Sequence, residues 1–376
     1  MKTSKFRLFV GPILLVLLLL SSFGCGVVAK KLLEPKSPPT KVPGRSSLLV
    51  PSKDHDEVAI QSSEALKARK YEELEATANK ARDGRQRLTG GFWKLNEIYR
   101  GIEFPNFGKN SAESEWQAHF ARLQEWKKTI PESITARIAL AQAWASYGFE
   151  ARGEGYINSV SDENLHLFQE RVDNARKEID EARPLNKNCP DWYVQMLRVG
   201  FAQGWSLSKY DSVFEEGFLI EPTYYLLQRE KVQYLLPQWY GKEGDLGRFI
   251  TENSARIDGV EGDIMYFELV STMQAVFRSE TTRMPGLNWA KIKRGYDELK
   301  NQYGVDKYRK NMFLYLAYFN HNDMPTADAA FKEVGDDWDP DVWRLKKAFD
   351  DMKAGMDMYH KAVAALPKES PSLTVR

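Results

Sequence analysis

Residues 342–359, VWRLKKAFDDMKAGMDMY, place Val342, Leu345, Phe349, Met352, Met356 and Tyr359 three or four positions apart. That spacing lines one face of an α-helix and fits no strand, where apolar side chains alternate. Ile292, Gly295, Tyr296, Leu299 and Tyr303 repeat it upstream, as do Met312, Tyr315, Leu316 and Phe319. Short breakers stand between such segments: Thr129-Ile130-Pro131, Arg183-Pro184, Glu221-Pro222, Pro237, Met284-Pro285-Gly286 and Asp339-Pro340. Helices with short connections, and no long run of strict alternation, predict an all-α body over residues 54–376. The expected architecture is a degenerate stack of antiparallel helical hairpins, α-solenoid-like.

Ser133, two residues after Pro131, is expected to cap a helix whose face is Ile134, Ile138, Ala141, Ala145 and Gly148. Trp144 adjoins that face and Arg152 continues it, so both are candidates to project into a groove. Two segments resemble tetratricopeptide (TPR) units. In Leu316-Ala317, Asp323, Ala327 and Phe331 the small residues allow close helix approach and the bulky one fills the gap to the next hairpin. Ala68-Arg69-Lys70-Tyr71-Glu72-Glu73-Leu74 with Ala78 is a shorter echo. A second resemblance rests on Trp126-Lys127-Lys128-Thr129-Ile130-Pro131-Glu132-Ser133, Ala143-Trp144 with Ala151-Arg152-Gly153, Leu236-Pro237-Gln238-Trp239, and Trp289 with Gly295-Tyr296 and Leu299. Over about residues 123–343 the chain resembles a bacterial family of TPR-like domains of unknown function. The resemblance implies an all-helical fold and supplies no catalytic residue.

The first 29 residues read as a signal peptide or membrane anchor: Lys2, Lys5 and Arg7 precede the uncharged span 8–29. Three readings stand. Leu17-Leu18-Leu19-Leu20 followed by Ser21, Ser22, Gly24 and Cys25 resembles a lipobox, which makes Cys25 the lipid attachment point of a lipoprotein. The span is also long enough to stay uncleaved as a transmembrane helix, which needs about 20 residues. Cleavage after Ala29 is the third. Residues 30–53 hold five prolines and a charge of +5, and read as an extended Pro-rich basic linker. All three readings export the body, and two of them tether it to a membrane of the bacterial cell envelope.

The chain of 376 residues has a net charge of +1, but its first 53 residues are so basic that residues 54–376 carry −7. A nucleic-acid binder concentrates Lys and Arg on its folded domain, so nucleic acid is not an expected partner. Two cysteines, Cys25 and Cys189, exclude a disulfide framework. The histidines, 55, 119, 166, 321 and 360, are isolated, and His321 with Asp323 lacks a third metal ligand, so Asp323 reads as a turn cap. The glycine-rich stretches 148–155 and 241–247 lack the phosphate-loop order and read as helix stops. Cys189 before Pro190 has no histidine nearby and reads as structural. The cluster Asp336, Asp337, Asp339 and Asp341 reads as a solvated, helix-capping turn. No cofactor, metal or catalytic residue is expected, and the chain does not read as an enzyme.

Ten tryptophans and 17 tyrosines are the more suggestive feature. Trp192-Tyr193, Trp205, Tyr224-Tyr225, Tyr234 and Trp239-Tyr240, with Arg152, Arg229 and Arg248, either wedge helices apart or line a groove for a peptide or glycan. The candidate binding residues are Trp144, Arg152, Arg229, Trp239 and Tyr240. The expected function is a membrane-tethered helical-repeat interaction module for a protein or peptide partner. The alternative is a hydrolase of envelope polymers using carboxylates from separate helices; it requires two carboxylates converging in one deep pocket.

Overall fold

The computed structural model describes residues 52–106, 111–153, 160–186, 188–237, 239–277 and 287–365. The N-terminal segment expected to be a signal peptide or membrane anchor, with Cys25, as well as Gln238 and almost all of the Pro-rich segment 30–53, lie outside the described residues. Among those described the chain is all-helical, with no strand and one isolated bridge between Arg87 and Trp93. Sixteen α-helices follow in order: α1 Lys53–Lys67, α2 Tyr71–Asp83, α3 Lys94–Gly101, α4 Glu113–Thr129, α5 Ile134–Arg152, α6 Asp162–Ala182, α7 Pro190–Ala202, α8 Leu207–Ile220, α9 Tyr225–Tyr234, α10 Asp245–Ala255, α11 Val260–Phe277, α12 Trp289–Tyr303, α13 Lys307–Tyr315, α14 Met324–Val334, α15 Pro340–Trp343 and α16 Lys346–Ala364. No helix among the described residues is long and apolar enough to cross a membrane.

Local chemistry starts several of these helices. Ser133 Oγ accepts from Ala136 N, as its sequence position predicts, and Asp306, Asp323 and Asp339 cap α13, α14 and α15 in the same way. Consecutive helices then pack pairwise, most extensively α5 on α6 and α11 on α12. The second pair meets at Gly295, where a Cβ would lie 2.1 Å from Asp263 O; only glycine permits that approach. One cluster of buried apolar residues runs from Ala65 to Met356.

Two predicted helices differ in detail. Residues 342–359 are not one helix: Arg344 takes a left-handed φ of 61°, α15 ends and α16 begins. The cause is Trp343, which turns inward to donate Nε1–H to Asn311 Oδ1 at 2.7 Å and to meet Phe349 edge-on at 5.0 Å. Leu345 is left 68% exposed, off the face predicted for it. After α13 the chain continues as a π-turn, Leu316–Asn320, which leaves Phe319 exposed. The glycine stretches also differ from simple stops. Gly148 lies inside α5 against α6, whereas Gly153 does end α5 with φ 70°; Gly244, with φ 84°, starts α10.

A linear array contacts only its neighbours, but residues 85–93 reach far along the chain. Arg87 and the Trp93 indole both donate to Thr223, at 2.6 Å (Oγ1) and 3.2 Å (carbonyl), and Gly90 N donates to Gly304 O at 3.2 Å. Phe92 packs edge-on to Tyr225, with the Arg309 guanidinium 4.3 Å from its ring centre. His55 ties this strap to α1: Nε2 lies 2.7 Å from Thr89 O and Nδ1 3.4 Å from Glu97 Oε1.

With acceptors on both nitrogens, the surroundings of the His55 ring favour its imidazolium form. Burial opposes that charge, but the Glu97 carboxylate and Thr89 carbonyl outweigh it and raise the pKa above 6.5. A raised pKa stabilises the fold fully below the unfolded value of 6.5, and the contribution is lost as pH rises through the folded value. His55→Gln is therefore expected to cost about 2 kcal/mol in acid, with the gap to the native protein narrowing above neutrality. Urea melts of both proteins across pH check this; a gap that widens with pH refutes it.

Candidate functional site

An open groove between α8, α9 and α10 is about 380 Å³ in volume. Typical ligand sites hold roughly 300–1,000 Å³. One face of α10 forms a wall, because Asp245, Arg248, Phe249, Glu252, Asn253 and Arg256 recur at steps of three and one. Leu207, Asp211, Phe214 and Glu215 of α8 form the other wall, and Lys231 with Leu235 the floor. Sequence reading singled out only Arg248 of these residues. The signal available was the helical spacing on α10, which alternates charge with an aromatic.

Charges in the groove are paired with one exception. Arg256 grips Glu215 with two bonds, at 2.9 and 2.5 Å, and Arg248 bonds Asp245 at 2.7 Å. Lys231, its side chain 6% exposed, pairs with Asp211. Its ammonium also lies 5.4 Å from the Tyr234 ring and 5.5 Å from the Tyr210 ring, close enough for cation–π attraction. Glu252 forms no ion pair among the described residues. Beside it Asn253 donates Nδ2–H to Gln228 Oε1. The Gln228 amide nitrogen is committed to Pro222 O at 2.9 Å, which fixes both amide orientations and leaves Asn253 Oδ1 without a donor.

An aromatic ladder leads from the groove floor to the surface. Tyr210 stacks on Tyr234 at 4.0 Å and Tyr234 on Tyr240 at 4.5 Å, while Phe201 meets Trp239 and Tyr240 edge-on at 5.0 and 5.7 Å. Tyr240, 41% exposed, ends the ladder, and its hydroxyl donates to Phe201 O at 3.2 Å. Two predicted binding residues, Trp239 and Tyr240, thus come together on Phe201, and neither lines the groove.

The other three lie elsewhere. Arg229 is 4% exposed, inside α9, and does not line the groove. Trp144 is half-buried, stacked on Phe120 at 4.0 Å, and Arg152 at the end of α5 bonds the carbonyl of Gly153. Neither lines the groove. Of the remaining aromatics, Trp192, Trp205, Tyr224, Tyr225 and Tyr234 are buried wedges.

Elsewhere the chemistry is structural. The Cys189 thiol is buried, which pushes its pKa up against the pull of Arg82, whose Nη1 lies 3.7 Å from Sγ. Burial pushes His119 down to about 3, and Nε2 sits 3.1 Å from Ile102 O. His321 stacks on Trp289 at 4.4 Å, and Asp323 accepts from Trp289, Lys293 and Thr326. Asp336 and Asp337 pair with Lys353 and Lys307 at the surface. Glu268 and Asp306 do converge, but on buried Arg309, and the cavity beside Glu268 is about 20 Å³, space for about one water. No family model, curated protein or solved structure matches the chain.

Proposed function

We propose that the chain is a membrane-tethered array of degenerate TPR-like hairpins that docks a peptide segment of a partner protein in the groove of α8, α9 and α10. Its basic leader and linker hold it at the envelope membrane, body outward, with lipidation at Cys25 as the favoured anchor. The observation that carries this reading is the groove: an open recess of about 380 Å³, with apolar Phe214, Leu235 and Phe249 among paired charges, and with Tyr240 exposed on a stack of rings that begins at Tyr234 near Lys231. Rigid aromatic surface at the edge of a recess offers contact area at small entropy cost.

The test places a photo-crosslinking residue in the full chain, in membranes, at Leu207 on the groove lip or at Ile60 on α1, which are 45% and 44% exposed. Discrete adducts are expected at Leu207 and not at Ile60. Equal labelling at the two positions, or none at Leu207, rejects the groove as a docking site.

A further inference from the structure

Resting on that reading, we infer that the docked segment presents a basic side chain, arginine or lysine, to Glu252. The argument is a charge balance. Lys231, Arg248 and Arg256 are already matched by Asp211, Asp245 and Glu215, so an incoming anion competes at each of them with a carboxylate already in place. A cation breaks none, because Glu252 is the carboxylate without a partner among the groove residues. Desolvating an ion and leaving its former partner unmatched costs more than a new surface pair returns.

Two neighbours of Glu252 fit the same occupant. Asn253, 2% exposed and on the same wall, has a carbonyl oxygen without a donor. A guanidinium or ammonium brings several N–H donors and no acceptor. Phe249, one turn before, supplies apolar surface for the methylene stem, as long basic side chains keep their stems on apolar ground and their heads in polar surroundings. An isolated exposed ion pair changes an affinity by only about five-fold at most, so the basic residue selects among segments held mainly by the aromatic and apolar surface. For that reason the occupant is a peptide and not a free amine.

Three pools of short peptides, randomised except for a central Arg, Gln or Glu, are titrated against the detergent-solubilised full chain and its Glu252→Gln variant. N-acetyl-arginine amide serves as the single-residue control. The Arg pool is expected to bind about five-fold tighter than the Gln pool, as about 1 kcal/mol implies, and the Glu pool weakest. The preference should fall with salt and vanish in Glu252→Gln. Binding of all pools without an Arg preference, or a preference that survives Glu252→Gln, overturns the inference and leaves the docking groove standing. Single-residue binding as tight as the Arg pool overturns the peptide assignment. Failure of every pool to bind removes the groove reading itself.

Discussion

Replacing Arg309 with leucine is expected to destabilise the protein by about 3–5 kcal/mol, the range for removing one member of a buried ion cluster. Arg309 holds Glu268 through two bonds, at 2.6 and 3.0 Å, and also bonds Asp306. All three side chains are at most 9% exposed. Without the guanidinium two carboxylates remain buried with no counter-charge from this residue. Burial already raises the Glu268 pKa against the opposing pull of Arg309, and the substitution removes that pull. A carboxyl whose folded pKa exceeds the unfolded value of 4.5 binds its proton more tightly when folded, so stability falls as pH rises from 4.5 through the folded value. The deficit of Arg309→Leu should therefore be greatest at neutral pH and shrink toward pH 4.5. The double variant Arg309→Leu/Glu268→Leu is expected to recover part of it, because no uncompensated Glu268 charge remains. Denaturation of the single and double variants at two pH values checks this, and a double variant with the full sum of the single losses contradicts the coupling.

What was legible in the sequence was local. Ser133 as a cap and the face Ile134 to Gly148 need only a short window, and all five face residues are buried as expected. Asp323 caps α14 as a turn residue for the same reason, and Leu316, Ala317 and Ala327 are buried. The break at Arg344 was not legible, because Trp343 is drawn by Asn311, more than thirty residues away.

The groove was hidden by α9, Tyr225–Tyr234, whose residues YLLQREKVQY read as a helix with a polar side. Gln228, Arg229, Glu230 and Lys231 are all buried there, satisfied in part by Arg198 on Glu230 and Asp211 on Lys231. Periodicity assigns charged residues to solvent, and only the distant partners reveal that this helix is internal. Arg229 was placed in a binding groove by that assumption. Tyr240 was singled out as one of a local cluster of aromatics, a pattern that needs no distant partner to be noticed.

Trp93→Ala should cost about 3–5 kcal/mol and loosen two distant parts of the molecule together. Trp93 is 1% exposed, lies edge-on to Tyr224 at 5.1 Å and has the Arg87 guanidinium 4.2 Å from its ring centre. Its truncation removes a large apolar group, a cation–π contact and the bond to Thr223 O, which places it at the top of the range for core truncations. Trp93→Phe keeps a ring in the site and loses chiefly the indole bond, so its cost should be nearer 1–2 kcal/mol. The distribution of the effect matters more than its size. In an array with nearest-neighbour contacts only, damage at α3 propagates one repeat at a time. Here residues 85–93 join α1 through His55 and Asp54, α9 through Tyr225, and the α12–α13 connection through Gly304. Amide hydrogen exchange in Trp93→Ala should therefore accelerate in α1 and in α12 and α13 alike, while α5 and α6, which pack mainly on each other, keep their protection. Acceleration confined to residues 52–106 would mean that the strap carries no coupling and that the helices open as a linear stack.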